Sequence, residues 1–135
     1  MAGFLTDYAN NKVLDLIFGA AAFAPPSNLY FGLSMNGSNK AGSIGEPQGG
    51  GYARATLANN PANFPGANGG TKSNAAVIVF PAPTADWGTV RSFFVADGPT
   101  GGNVLAMADL ASPKSISAGG ASAKVALGAL FLSHT

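Results

Sequence analysis

The sequence predicts an all-β fold, a jelly-roll-like β-sandwich with a short N-terminal helix. Three observations predict it. Apolar residues alternate with period 2 in several runs, as a half-buried strand requires. Gly-, Pro- and Asn-rich stretches punctuate those runs at the spacing typical of sandwiches and jelly rolls. Helix-type patterning with a capping residue occurs once, near the N-terminus. At 135 residues the chain has the length of one domain with a single core. It divides into a helix and arm over residues 1–26 and a sandwich over 27–135.

The helix begins at Thr6, whose hydroxyl suits an N-cap, with Asp7 in the first turn where negative charge complements the dipole. Leu5, Tyr8, Val13, Leu16 and Ile17 give a loose apolar face, and Lys12 and Asp15 lie on the other side. Gly19 reads as the C-cap, and Pro25-Pro26 then forces an extended chain. Two roles stay open for this element: a plug for one end of the sandwich, or an arm that docks on a partner.

After the prolines, Leu29, Phe31, Leu33 and Met35 fall on one face of a strand. Asn36 to Gly51 is a long polar loop, and loops of that length are usually functional or flexible. Tyr52 to Leu57 reads as the next strand. Asn59 to Gly70 is a second Gly-, Asn- and Pro-rich loop, with Phe64 inside it. A loop Phe more often tucks under its own loop than inserts into a neighbour.

Ala75 to Phe80 is apolar throughout, which predicts a central strand, ended by Pro81 and Pro83. Thr84 to Gly88 forms a turn into a strand over Thr89–Ala96, and Asp97-Gly98 opens the next turn. Val104 to Leu110 follows, then a short strand near Ile116 introduced by Pro113 and Lys114. Ala118-Gly119-Gly120 turns the chain into a last strand, Lys124 to Leu132, in which Val125, Leu127, Ala129 and Phe131 alternate. The sum is about seven or eight strands. The sequence shows no tandem repeat, no heptads and no second domain.

Composition bounds the function. The chain has 7 Lys and Arg against 6 Asp and Glu, a net charge of +1. That leaves no field to attract nucleic acid or an anionic membrane. Charged residues make up 10% of the chain, against about 25% in typical soluble domains. Such a surface suits a protein covered by neighbours; the alternative is a neutral extracellular domain. The absence of cysteine excludes disulfides and thiolate metal sites. Met1 to Asp7 carries no basic segment before an apolar run, and Val13 to Phe23, interrupted by Asp15, is too short to span a bilayer. We therefore expect synthesis in the cytoplasm and no membrane partner.

Catalytic chemistry needs converging titratable groups. The one histidine, His134, is penultimate and reads as frayed and solvated. With no Cys and one His, zinc is not expected. The acids Asp7, Asp15, Glu46, Asp86, Asp97 and Asp109 are spread singly; Asp86 and Asp97 flank one strand and so sit at its opposite ends. Gly49-Gly50-Gly51 lacks the Lys-Ser/Thr ending of a phosphate loop. Trp87 without clustered polar partners reads as a core-edge tryptophan rather than a sugar platform. No enzyme activity, cofactor or metal is expected.

Several stretches together resemble a known family. They are the N-terminal helix followed by Pro25-Pro26, Leu29-Tyr30-Phe31-Gly32-Leu33, Gly49-Gly50-Gly51-Tyr52-Ala53-Arg54, Ser73-Asn74, Thr84-Ala85-Asp86-Trp87-Gly88-Thr89-Val90 and Gly101-Gly102-Asn103-Val104-Leu105. In order and spacing the chain is similar, from about Leu5 to Phe131, to small tailed-bacteriophage virion proteins variously labelled tail-fibre or decoration proteins. Gly119-Gly120 departs from the Gly-Asp of that pattern. The resemblance implies a jelly-roll-like fold and a structural place in the virion. It implies a capsid cement protein on the capsid surface, bound to the major capsid protein, often as a homotrimer. The competing readings are a tail, baseplate or fibre-associated component and a carbohydrate-binding host-attachment module. The expected intermolecular contacts come from the N-terminal residues and the long loops, namely Phe4, Leu5, Tyr8, Tyr52, Arg54, Phe64 and Trp87.

Overall fold

The computed structural model describes residues 2–125 and 128–133. Leu127 of the expected last strand and His134 lie outside the described residues. In chain order the elements are β1 (Ala2–Leu5), α1 (Asp7–Ile17), β2 (Asn28–Ser34), β3 (Ala55–Ala58), β4 (Thr71–Ser73), β5 (Ile78–Val79), β6 (Gly88–Ala96), β7 (Val104–Ile116), β8 (Lys124–Val125) and β9 (Phe131–Ser133). The fold is all-β with one short N-terminal helix, as the sequence predicts. Its layers are unequal. One sheet has seven strands in the order β3-β2-β6-β7-β1-β9-β4, and β5 with β8 forms a two-stranded ribbon. Among the described residues one large sheet and a ribbon stand where the sequence predicts a jelly-roll-like sandwich.

Alternation along β6 sets the core. Val90, Phe93 and Val95 point to one face, where they join Phe31, Leu33, Ile78, Phe80, Val125 and Leu130. Phe94 and Ala96 point to the other face and pack with Met107 under Ile44 and Val104. Both faces of the sheet are therefore covered around β6, which explains its unbroken apolar run. Phe31 stacks on Phe93 at 5.6 Å between centroids and on Phe64 at 6.2 Å, and Phe80 meets Phe93 edge-on at 6.4 Å. Burial of each such ring stabilises the fold by about 1.5–3 kcal/mol.

The second face depends on a glycine. Gly32 of β2 pairs with Phe94 of β6, whose ring lies across the neighbouring backbone. A Cβ at position 32 would collide with the far end of that ring. The missing side chain is what lets Phe94 cover the sheet.

Four strand expectations need correction. Residues 2–5 form a strand, not the approach to the helix; Leu5 belongs to β1, between β7 and β9, and packs on the core. The stretch Ala75–Phe80 is not a central strand: only Ile78 and Val79 pair, in the ribbon, and Val77 and Val79 face outward at 44% and 48% exposure. The region near Ile116 is not a separate strand but the end of the 13-residue β7. Pro113 is accommodated because β1 pairs with β7 only at Leu5–Ala106 to Gly3–Ala108, leaving the later edge of β7 free of a strand partner among the described residues. The last strand is split between the ribbon and the main sheet, with Gly128 at φ +70° between β8 and β9.

The helix is fastened at its start. Thr6 caps it, accepting from the Ala9 N–H, while its hydroxyl donates to the Val104 carbonyl at 2.6 Å. The Thr6 and Asp7 amides donate to the carbonyls of Leu105 and Lys40. At the other end Phe18, not Gly19, is the C-cap, and Gly19 follows it at φ +114°.

Candidate functional site

Two features carry function-relevant chemistry, a polar clamp at one end of the sheet and an uncovered apolar arm. The clamp is built from the long loop after β2 and the irregular segment leading into β3. Arg54 is buried, with its side chain 2% exposed. It holds Glu46 through both carboxylate oxygens, Nε to Oε2 at 3.0 Å and Nη2 to Oε1 at 2.7 Å. Its Nη1 donates to the carbonyls of Gly98 and Gly101 at 2.7 and 2.9 Å, and its guanidinium lies 4.9 Å from the Phe94 ring centre. The planar fork of arginine suits all these partners at once, which a lysine would not.

Tyr52 extends the clamp. Its hydroxyl donates to Glu46 Oε2 at 2.6 Å and accepts from the Leu33 amide at 3.1 Å. Its ring meets Trp87 edge-on at 5.2 Å, and Trp87 Nε1 donates to the Gly50 carbonyl at 2.8 Å. Gly50, at φ +61°, leaves room for the indole: a Cβ there would lie 3.1 Å from Trp87 Cδ1. Burial acts to raise the Glu46 carboxyl, but the hydrogen bonds from Arg54 and Tyr52 outweigh it and hold the group below its ordinary value. Burial, then the bond to Glu46, pushes the Tyr52 phenol well above its usual range. A carboxylate so occupied is a fastening between loop 36–51 and the turn after β6.

The arm is the opposite case. From Leu14 onward the helix leaves the body: Leu14, Leu16, Ile17 and Phe18 are 45%, 46%, 64% and 73% exposed. Of the helix residues only Ala9 is buried. After the helix the chain turns at Gly19 and Ala20, both at positive φ, with the Ala21 amide donating to the Asp15 carbonyl. Residues 19–25, all Gly, Ala, Phe and Pro, are exposed except for half-buried Phe23. The segment rejoins the fold where the Asn59 side chain and amide donate to the Pro26 and Ser27 carbonyls. Between Asp15 and Lys40 the sequence has no charged residue. So the helix does not plug the sheet.

The expected contact residues fall into two groups. Phe4, Leu5 and Tyr8 are half-buried near the N-terminus, Phe4 under Lys40 and Tyr8 beside Lys12. Tyr52, Arg54, Phe64 and Trp87 sit in the clamp or the core, with Phe64 and Trp87 only 6% and 3% exposed. Arg54, Phe64 and Trp87 are buried and Tyr52 half-buried within the chain itself. Burial of Trp87, the single tryptophan, also removes it as a sugar platform. Sequence reasoning missed Glu46, since nothing in the spacing marks it as the partner of Arg54. It also missed Leu14 and Phe18; the signal was there in the uncharged run after Asp15.

Among the described residues no three His, Cys, Asp or Glu gather where a metal could sit, and no helix is long and apolar enough to cross a membrane. Residues 4–133 match the family described as Podophage GP4 fiber I protein gp80. No curated protein matches the chain.

Proposed function

We propose, from the premise that this chain belongs to the Podophage GP4 fiber I protein gp80 family, that it is a non-enzymatic component of the phage tail-fibre apparatus that works by packing against neighbouring proteins. Membership makes it a phage structural protein and a component of the virion. The family's description favours the fibre. The observation that carries the packing role is the arm, from Leu14 to Pro25, exposed and almost wholly apolar on a domain that is otherwise well packed. An apolar segment of this kind marks an interaction surface.

A second reading is capsid cement bound to the major capsid protein. It is favoured by the low charge and by the lack of any stalk, since α1 is only 11 residues long and the sequence has no heptads. In either place, repeated weak contacts gain from multivalency, and binding only to the assembled state stabilises that state. Copy number in purified virions, from quantitative mass spectrometry against the major shell protein, separates them. A ratio of a few per cent supports the fibre. A ratio near one supports cement and overturns the fibre. Absence from the virion overturns both.

A further inference from the structure

The arm needs a receptor, and the chain itself carries a groove of matching chemistry. A cavity of about 470 Å³ opens between the end of β7 and the segment leading into β8. Its floor is apolar, formed by Leu33, Phe80, Val90 and Phe93, and Lys114 and Lys124 stand among its lining residues. Neither lysine has a carboxylate partner among the described residues, where Arg54–Glu46 is the ion pair present. The arm offers Phe18 as an apolar knob, 73% exposed, and Asp15 one helical turn before it as its single charge, while Lys12, a turn before Asp15, lies over the Tyr8 ring. An apolar knob beside one anion meets an apolar floor beside two cations.

The register keeps arm and groove apart within one copy. Thr6 bonds to the carbonyl of Val104, and Asn28 and Tyr30 start β2 at the level of Ala58 and Ala96, so both ends of the arm attach where β7 begins. The groove lies where β7 ends, at Leu110 to Ile116, with Ile116 paired to Gly88. From Val104 to the middle of the groove the distance along β7 is about 30 Å at the usual strand rise, whereas a helix the length of α1 reaches only about 16 Å. The arm of one copy therefore does not reach the groove of that copy.

We propose that the arm of one copy, led by Phe18 and Asp15, seats in the β7–β8 groove of a second copy of this chain. This rests on the reading that the chain works by packing. The contact is head to tail. Repeated, it closes into a ring or runs on as a filament, depending on the rotation between copies. Among the described residues the edge of β7 beyond Ala108 has no strand partner on its β1 side, so the part of the arm after Ala21 can also bond to backbone there.

A sequence without cysteine makes the test direct. One copy carries Ala22→Cys, which keeps Phe18, and the other Ala111→Cys, both exposed positions outside the core. The two are mixed and oxidised, and the disulfide-linked products are resolved by mass spectrometry. The expected result is a mixed dimer of the two variants, joined arm to groove, well above either variant linked to itself. A predominance of the Ala22→Cys variant linked to itself would mean that arms pair with arms and would overturn the proposal. So would crosslinking no greater than that of a denatured control. Sedimentation supplies an independent readout. Asp15→Lys is expected to weaken self-association by about two- to fivefold, the range for an exposed ion pair, and Lys114→Glu with Lys124→Glu in the partner copy to restore it. Equal association with and without the charge reversal overturns the charge match. A chain found in virions but failing these tests loses only this inference; absence from virions defeats the proposed function instead.

Discussion

Arg54→Ala removes the centre of the clamp, and its cost follows from everything that one side chain holds. Arg54 makes two bonds to Glu46, two to the carbonyls of Gly98 and Gly101, and lies against the ring of Phe94. Removing one member of a buried ion pair costs about 3–5 kcal/mol, because the remaining charge is left without its partner. The Glu46 side chain is 19% exposed, so water relieves part of that penalty. The lower end, about 3 kcal/mol, is the expected loss. Arg54→Lys should fall between, keeping the charge but not the fork. Glu46→Ala added to Arg54→Ala should cost little more, since residues in one network are not additive. The assay is urea unfolding followed by fluorescence of the single tryptophan, which sits against Tyr52 inside the same cluster. A loss below about 1 kcal/mol would place Arg54 among ordinary neutral hydrogen bonds and refute the clamp as a major fastening.

Gly32→Ala should destabilise by about 1–3 kcal/mol or more, because the new Cβ runs into the Phe94 ring, which is fully buried and has no room to swing aside; thermal unfolding of the variant checks it. Thr6→Ala should cost about 1–2 kcal/mol through removal of the cap and of the bond to Val104, and the loss should appear as faster hydrogen exchange in α1. The Glu46 carboxyl lies below its ordinary value of 4.5 in the folded chain, so its contribution is complete above that pH and disappears as pH falls through the folded value. An acid titration followed by Trp87 fluorescence should show this loss, and Glu46→Gln should remove that pH dependence. Tyr52 has the opposite sign: its raised phenol contributes fully below about pH 10.0 and loses that contribution only in stronger alkali.

How much was legible in the sequence depends on the range of the physics involved. Local chemistry read well. Thr6 caps the helix and Asp7 opens it because capping involves only neighbouring residues. The alternation of β2 and the strand over Thr89–Ala96 were visible because period 2 is a property of the strand itself. The last segment misled because alternation at Val125 and Phe131 is the same whether one strand or two carries it; the turn at Gly128 and the pairing partners decide. Ala75–Phe80 misled because an apolar run implies two covered faces, and here Val77 and Val79 remain uncovered. The clamp was half visible. Tyr52 and Arg54 stood out as residues, but the Gly98 and Gly101 carbonyls that fix Arg54 come from 44 and 47 positions away. The arm was readable as uncharged, yet its exposure is a tertiary fact.

The central claim, that a neighbour covers the arm, is tested most directly by hydrogen exchange over residues 14–25, compared between the dilute free chain and the purified virion. The expected result is rapid exchange at residues 22–24 in the free chain, the Ala21 amide being held by the Asp15 carbonyl, and marked protection in the virion. Equal, rapid exchange in both states would mean that the arm stays uncovered in the assembled particle, and would contradict a protein that works by packing it away.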